Sequence, residues 1–227
     1  MIASFLKIVF IMYLTASIME IRNIHVYNLD STLITIQEYI NRENVQSELE
    51  NLSPILLKNI YDDDFCNVNL MKRNPGYMIQ DSARFISLRE LKDDYHIYEN
   101  DKMVSDLNVN TEQVFSIFEK KLSTNRRSYL SLYGGDVQSV LLKCVSNVTS
   151  YTCSSSFTFY LFNPKHINDI LGKELMKIKK WAIKVNVEKG DILYIPCEWN
   201  YIYEGKGNLL KLTIDNYFSV GYNLLRK

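Results

Sequence analysis

The chain has 227 residues, 47% hydrophobic and 23% charged, a composition that builds a packed globular body and excludes a disordered one. Lys plus Arg and Asp plus Glu number 26 each, so no net field draws in nucleic acid or an anionic membrane surface, and a nucleic-acid-binding role is set aside. The length suits one main domain. An AT-rich coding bias explains the many Ile, Asn, Lys and Tyr beside only 8 Gly and 4 Pro, and it lowers the functional weight of any single Tyr or Asn.

From Ile2 to Met19 the only charge is Lys7, and Glu20 and Arg22 follow at once. Such a stretch, helical at 1.5 Å per residue, spans about 27 Å, close to a hydrocarbon core of about 30 Å. It reads as a membrane anchor over residues 2–19. A cleaved signal peptide is the alternative, because Ile8 to Leu14 is a compact apolar core and Thr15-Ala16-Ser17 supplies small residues near a cut. A third reading makes it an apolar element buried in the domain. Residues 1–22 are therefore assigned as signal-anchor or signal peptide, with the body, residues 23–227, lumenal, extracellular or secreted.

The body opens with a helix- and loop-rich part over residues 23–127. His25 to Leu29 reads as a strand, and Ser31 caps a helix through Asn41 with Leu33, Ile36 and Ile40 on one face. Pro54 introduces a strand through Lys58. The Asp62-Asp63-Asp64 run lacks the alternating oxygen ligands and fixed glycine of a calcium loop and reads as a solvated loop. Asn74-Pro75-Gly76 is a turn, Ala83 to Leu88 a strand, and Arg89 to Asn110 a polar, irregular excursion. Asn110 or Thr111 caps the clearest helix, Glu112 to Leu122, whose Val114, Phe115, Ile117, Phe118 and Leu122 repeat at helical spacing.

From residue 128 to 218 the pattern becomes one of strands. They are Tyr129–Tyr133, Val137–Cys144 after a Gly134-Gly135-Asp136 turn, Phe157–Phe162, Trp181–Val187, Ile192–Ile195 and Leu209–Phe218, with a helix over Lys165–Lys177. Short strands divided by turns indicate an antiparallel sandwich or barrel. The fold class is mainly β with flanking helices. None of the four cysteines has zinc-site spacing; in an oxidising compartment Cys144 and Cys153 are placed to bridge two adjacent strands, and in a reducing one they are buried thiols. Asn147-Val148-Thr149 is a glycosylation acceptor in the turn between them.

Gly190 to Tyr201, GDILYIPCEWNY, has a turn, an apolar strand, a proline, a small polar corner and a tryptophan in that order. It resembles the late strand pair of cupin-like and JmjC-like double-stranded β-helix proteins. The resemblance implies a jelly roll and, for many members, iron(II)- and 2-oxoglutarate-dependent oxygenase chemistry, with iron held by an HxD/E pair and a distant His. In this chain the HxD place falls near Leu142-Lys143-Cys144, the co-substrate lysine place near Phe157, and the distal histidine place at Tyr201. None supplies the required ligand. His25, His96 and His166 are the remaining imidazoles, and His96 with Asp94, Glu99 and Asp101 is the least improbable substitute site. Cys197 beside Glu198 lacks the cationic neighbour that a reactive thiolate needs.

The resulting expectation is a membrane-anchored or exported cupin-like protein without cofactor, its ligand-binding motif degenerate at Leu142, Cys144, Phe157 and Tyr201, acting as a binding or structural module. Its partner is a protein or small molecule that the residues do not specify. A divergent 2-oxoglutarate oxygenase with an unusual ligand set is the alternative.

Overall fold

In the computed structural model, which describes residues 5–16, 34–38, 42–61, 74–81, 84–91, 95–119, 123 and 125–216, the leader forms a helix, α1, over residues 5–16. Phe5, Leu6, Ile8, Val9, Phe10, Ile11 and Met12 are all exposed, which rules out the buried-element reading for this stretch. At 1.5 Å per residue α1 is roughly 18 Å long. No described helix is long and apolar enough to cross a membrane. The expected strand at His25–Leu29, the Asp62-Asp63-Asp64 run and Cys66 lie outside the described residues.

The helix expected from Ser31 to Asn41 is not formed where the chain is described. Strand β1 occupies Thr35–Gln37, and helix α2 begins at Arg42 and ends at Asn51. Thr35 and Ile36 are β-branched, which favours the extended form once a partner strand is present. That partner is β2, Ile55–Leu57, which pairs with β1 in parallel, Ile36 opposite Leu56. After the Asn74-Pro75-Gly76 turn, closed by Tyr77 N–H to Asn74 O at 3.0 Å, β3 (Met78–Asp81) and β4 (Arg84–Ser87) form a separate hairpin.

The segment read as irregular contains β5, His96–Asn100, and a short helix α3, Asp101–Asp106. The Asn100 side chain caps α3 by accepting from Met103 N–H at 3.0 Å, a local bond that hydropathy alone does not reveal. Helix α4 follows at Glu112–Phe118, burying Val114, Phe115 and Phe118.

The strands after residue 125 are β6 (Asn125–Gln138), β7 (Leu142–Lys143), β8 (Val148–Cys153), β9 (Phe157–Phe162), β10 (Ile183–Val187), β11 (Ile192–Pro196) and β12 (Asn200–Asp215). Two short helices, α5 (Ile167–Ile170) and α6 (Leu175–Ile178), stand where one was expected over Lys165–Lys177. Gly172, with φ +72°, divides them in a left-handed conformation that a helix interior does not contain.

The Gly134-Gly135-Asp136 turn is also corrected. β6 runs through it, with Tyr133 opposite Gly207 and Val137 opposite Gly205 on β12, so three residues of β6 bulge against Lys206. Gly207 has φ +111°, and a Cβ there would stand 2.5 Å from Ser155 Oγ, so only glycine fits this bend.

β12 organises the sheet. Its first part pairs with β9 on one side and with β7 and the end of β6 on the other, while its second part pairs with β8 and with the rest of β6. β8 extends the ladder to β11, β2 and β1, β6 extends it to β5, and β9 extends it to β10. All of these pairings are antiparallel except β1 with β2. The protein is therefore mainly antiparallel β with flanking helices.

Three apolar clusters follow from this layout. One lies between the sheet and α2, α3 and α4 and includes Leu49, Ile55, Val114, Phe118, Tyr194 and Leu210. A second is enclosed by β6, β8, β9, β10, β11 and β12. The third, with Phe162, Ile170, Ile178 and Ile202, lies under α5 and α6. Asp191 ties the segment after β2 to the turn before β11: fully buried, its carboxylate takes Lys58 Nζ at 2.6 Å and the N–H groups of Asn59 and Glu188 at 3.1 and 3.0 Å.

Candidate functional site

Strand alternation decides what fills the enclosed interior. On β9, Phe157, Phe159 and Leu161 point inward while Thr158 and Tyr160 point away, and on β12 Tyr201 and Tyr203 point inward while Ile202 faces α5 and α6. Tyr133 from β6 and Tyr151 from β8 complete the set. The Tyr151 and Tyr201 hydroxyls lie 2.6 Å apart, and those of Tyr133 and Tyr203 lie 2.8 Å apart. Each buried phenol thus has the other as its hydrogen-bond partner, the condition for placing a hydroxyl in an apolar interior.

The aromatic rings are in mutual contact. Phe159 lies 5.1 Å from Tyr151 and 5.6 Å from Tyr203, and Phe157 lies 6.2 Å from Tyr133, measured between ring centres. These are ordinary distances for packed aromatic pairs. Burial pushes the hydroxyls of Tyr133, Tyr151, Tyr201 and Tyr203 above the usual tyrosine range, so all four are neutral at physiological pH.

The four positions singled out by the resemblance meet here. Cys144, Phe157 and Tyr201 are buried in this cluster, and Leu142 packs against it as the β7 residue opposite Tyr201. An iron triad needs neutral imidazole and carboxylate ligands. The interior offers phenols already bonded in pairs and a Cys144 thiol pushed up to about 12 by burial, with Thr149 Oγ1 at 3.0 Å from its sulfur. These residues do not fit the metal. No group of three or more His, Cys, Asp and Glu with metal-holding geometry occurs among the described residues.

The histidines stand elsewhere. His96 is an exposed residue of β5, its ring 5.8 Å from that of Tyr133. Glu99, expected near it as a ligand, is held by Lys211 at 2.7 Å, and Asp94 lies outside the described residues, as does His25. His166 lies over Trp181 with ring centres 5.4 Å apart. Glu198 is held by Lys143 at 2.7 Å, and burial raises the Cys197 thiol, the opposite of what a nucleophile requires.

Of the two readings of Cys144 and Cys153, a bridge or buried thiols, the structure has the thiols. The flanking strands do not form a hairpin: β7 pairs with the first part of β12, and β8 with the second. Cys144 meets the start of β8 through Thr149, whereas Cys153 lies four residues further on, roughly 13 Å away at strand spacing and outside disulfide reach. Both are buried thiols. Asn147, in the bend just before β8, is 8% exposed, and the hydroxyl residue of its motif, Thr149, lies in β8 and is 2% exposed.

One open depression of about 400 Å³ lies beside the β6–β12 bulge, lined by Asp136, Gln138, Ser156, Thr158 and Glu204. Glu204 is engaged by Gln138 Nε2 at 2.7 Å and by Lys179 Nζ. The sequence carried a sign of it in Gly205-Lys206-Gly207, which marks the irregularity that shapes the depression. No protein-family model matches the chain, and no curated protein matches it significantly.

Proposed function

We propose that this chain is a non-catalytic, cupin-like double-stranded β-helix module of jelly-roll type, held at a membrane or exported by its N-terminal segment, and acting by binding or as a structural piece. One observation carries the reading: the interior where a jelly-roll oxygenase keeps its ligands is packed with paired tyrosines. Burial holds these paired phenols in their neutral form, which is a poor ligand compared with the phenolate, imidazole or carboxylate that a metal selects. A divergent oxygenase would need a donor set that the interior does not supply.

The seven large apolar side chains that α1 exposes between Phe5 and Met12, with Lys7 the one charge among them, support the membrane part of the proposal, since they gain from an apolar surrounding. With Cys144 and Cys153 unbridged, no disulfide supports an oxidising, lumenal setting. A ligand of this module would meet the polar depression around Glu204 rather than the interior.

The test is titration of the intact chain with iron(II) and 2-oxoglutarate, reading bound metal and succinate release. Absence of stoichiometric iron and of turnover is expected with the fold verified by circular dichroism. One iron per chain with succinate formation overturns the proposal.

A further inference from the structure

The neutral net charge conceals one strongly basic segment. Between Pro164 and Lys184 the chain has six lysines against two acidic residues, Asp169 and Glu174. This stretch forms the cover made of α5, α6 and the short 3-10 turn Lys179–Trp181. Its inner residues, Ile170 and Ile178, are buried under it against Phe162 and Ile202. Its outer residues include Leu171, 58% exposed, Met176, 77% exposed, and Trp181, 42% exposed. Lys165, Lys173, Lys177, Lys180 and, on β10, Lys184 are exposed in the same stretch, with Lys177 also paired to Glu174 at 3.0 Å.

Each half of this pattern has a separate consequence. Large apolar side chains left in water on a small element are costly to display and gain by entering an apolar phase. Lysines distributed among them keep their ammonium groups at a polar boundary while their stems lie along the apolar surface. Tryptophan favours the same boundary, and the Trp181 ring is held in place by His166 beneath it and by Lys180 Nζ, 5.3 Å from its centre. Apolar anchors interspersed along the chain with cations complement one surface in particular, a bilayer with anionic headgroups. A folded acidic protein would pair with the lysines and leave Met176 and Leu171 without an apolar bed.

We infer that the α5–α6 cover is a second membrane contact, in which Leu171, Met176 and Trp181 enter the headgroup boundary of an anionic bilayer and the exposed lysines bind its phosphates. The inference rests on the proposed placement of the chain at a membrane, but it uses different residues. The leader acts through apolar insertion, indifferent to lipid charge; the cover acts through charge and is weakened by salt.

The experiment is co-flotation of the full chain with phosphatidylcholine vesicles and with vesicles also containing phosphatidylserine, at low and high salt, with tryptophan emission recorded. The chain has two tryptophans, and Trp199 is fully buried, so a blue shift on binding reports Trp181. Affinity for the anionic vesicles is expected to exceed that for the neutral ones on the order of 100-fold, at about five-fold for each of Lys173, Lys177 and Lys180. K173Q/K177Q/K180Q is expected to remove most of that difference, while K102Q/K206Q, which removes exposed charge elsewhere, retains it. Equal binding to both vesicles, equal loss in both variants, or an unshifted emission on bound vesicles overturns the inference. Capture by polyglutamate or RNA without capture by vesicles overturns it in favour of an acidic macromolecule. Failure of the leader shows separately, as absence of binding to neutral vesicles.

Discussion

The helix-covered core and the enclosed interior solve one packing problem in two ways. Under α2, α3 and α4 the buried side chains are mostly aliphatic, and of the two buried tyrosines Tyr61 donates its hydroxyl to the Asn110 carbonyl while that of Tyr194 has no hydrogen-bond partner among the described residues. Between the strands aromatic rings pack among aliphatic side chains, and the four tyrosine hydroxyls are paired. A hydroxyl costs little where it has a partner and is a liability where it has none. The chemistry of the interior is therefore closed on itself, and its reactivity is low because its polar atoms are satisfied, not because they are few.

The largest expected effect comes from opening the interior. Phe157→Ala, which removes a ring touching Tyr133 and Tyr203, is expected to cost about 3–5 kcal/mol in denaturant unfolding. A loss below 1 kcal/mol would show that the rings are loosely packed and that the interior is closer to a pocket. Alkaline titration separates the two regions next. Burial raises the paired tyrosines in the folded state, so the folded protein holds those protons more tightly than the unfolded chain. Their contribution to stability is whole below pH 10, the ordinary tyrosine value, and is lost as pH rises beyond it. The phenolate absorbance of these residues is expected to appear only with unfolding, and Cys144, pushed up to about 12, is expected to resist thiol reagents until the same point.

Single hydroxyls give smaller effects. Tyr201→Phe leaves Tyr151 without its partner and is expected to cost about 1–3 kcal/mol, while the double change with Tyr151→Phe costs less than the sum of the two. Strict additivity would mean that the pair is not coupled. Tyr194→Phe removes a hydroxyl with nothing to lose and is expected to change stability by less than about 0.5 kcal/mol or to raise it. A penalty above 1 kcal/mol there would erase the contrast between the two cores.

Sequence periodicity located much of this arrangement. β9, with alternating Phe157, Phe159 and Leu161, α4, and the Gly190 to Pro196 turn and strand were legible because pattern and environment agree. β8 was not, since Val-Thr-Ser-Tyr-Thr-Cys has polar residues at positions that are buried on both sides by β11 and β12. β1 was lost to a helical spacing of Leu33, Ile36 and Ile40, which local pattern cannot distinguish from a strand that waits for β2. Of the site, counting along the strands found Leu142, Cys144, Phe157 and Tyr201, which do share one interior. Their partners Tyr133, Tyr151 and Tyr203 were missed because abundant tyrosine made each one uninformative. Cys144 and Cys153 were mispaired because a short sequence separation suggests a hairpin, whereas here the chain changes partners within it.

β12 is also a matter of timing. Every strand it joins lies earlier in the chain, so during synthesis β6, β8 and β9 emerge with their mutual partner still missing. Pairings this distant in sequence close slowly, and until they do the inward faces of Phe157, Phe159 and Tyr151 have no enclosure. The nascent protein is most vulnerable to aggregation just before Asn200 to Asp215 appears, and an interruption there would leave β6, β8 and β9 without the strand that joins them.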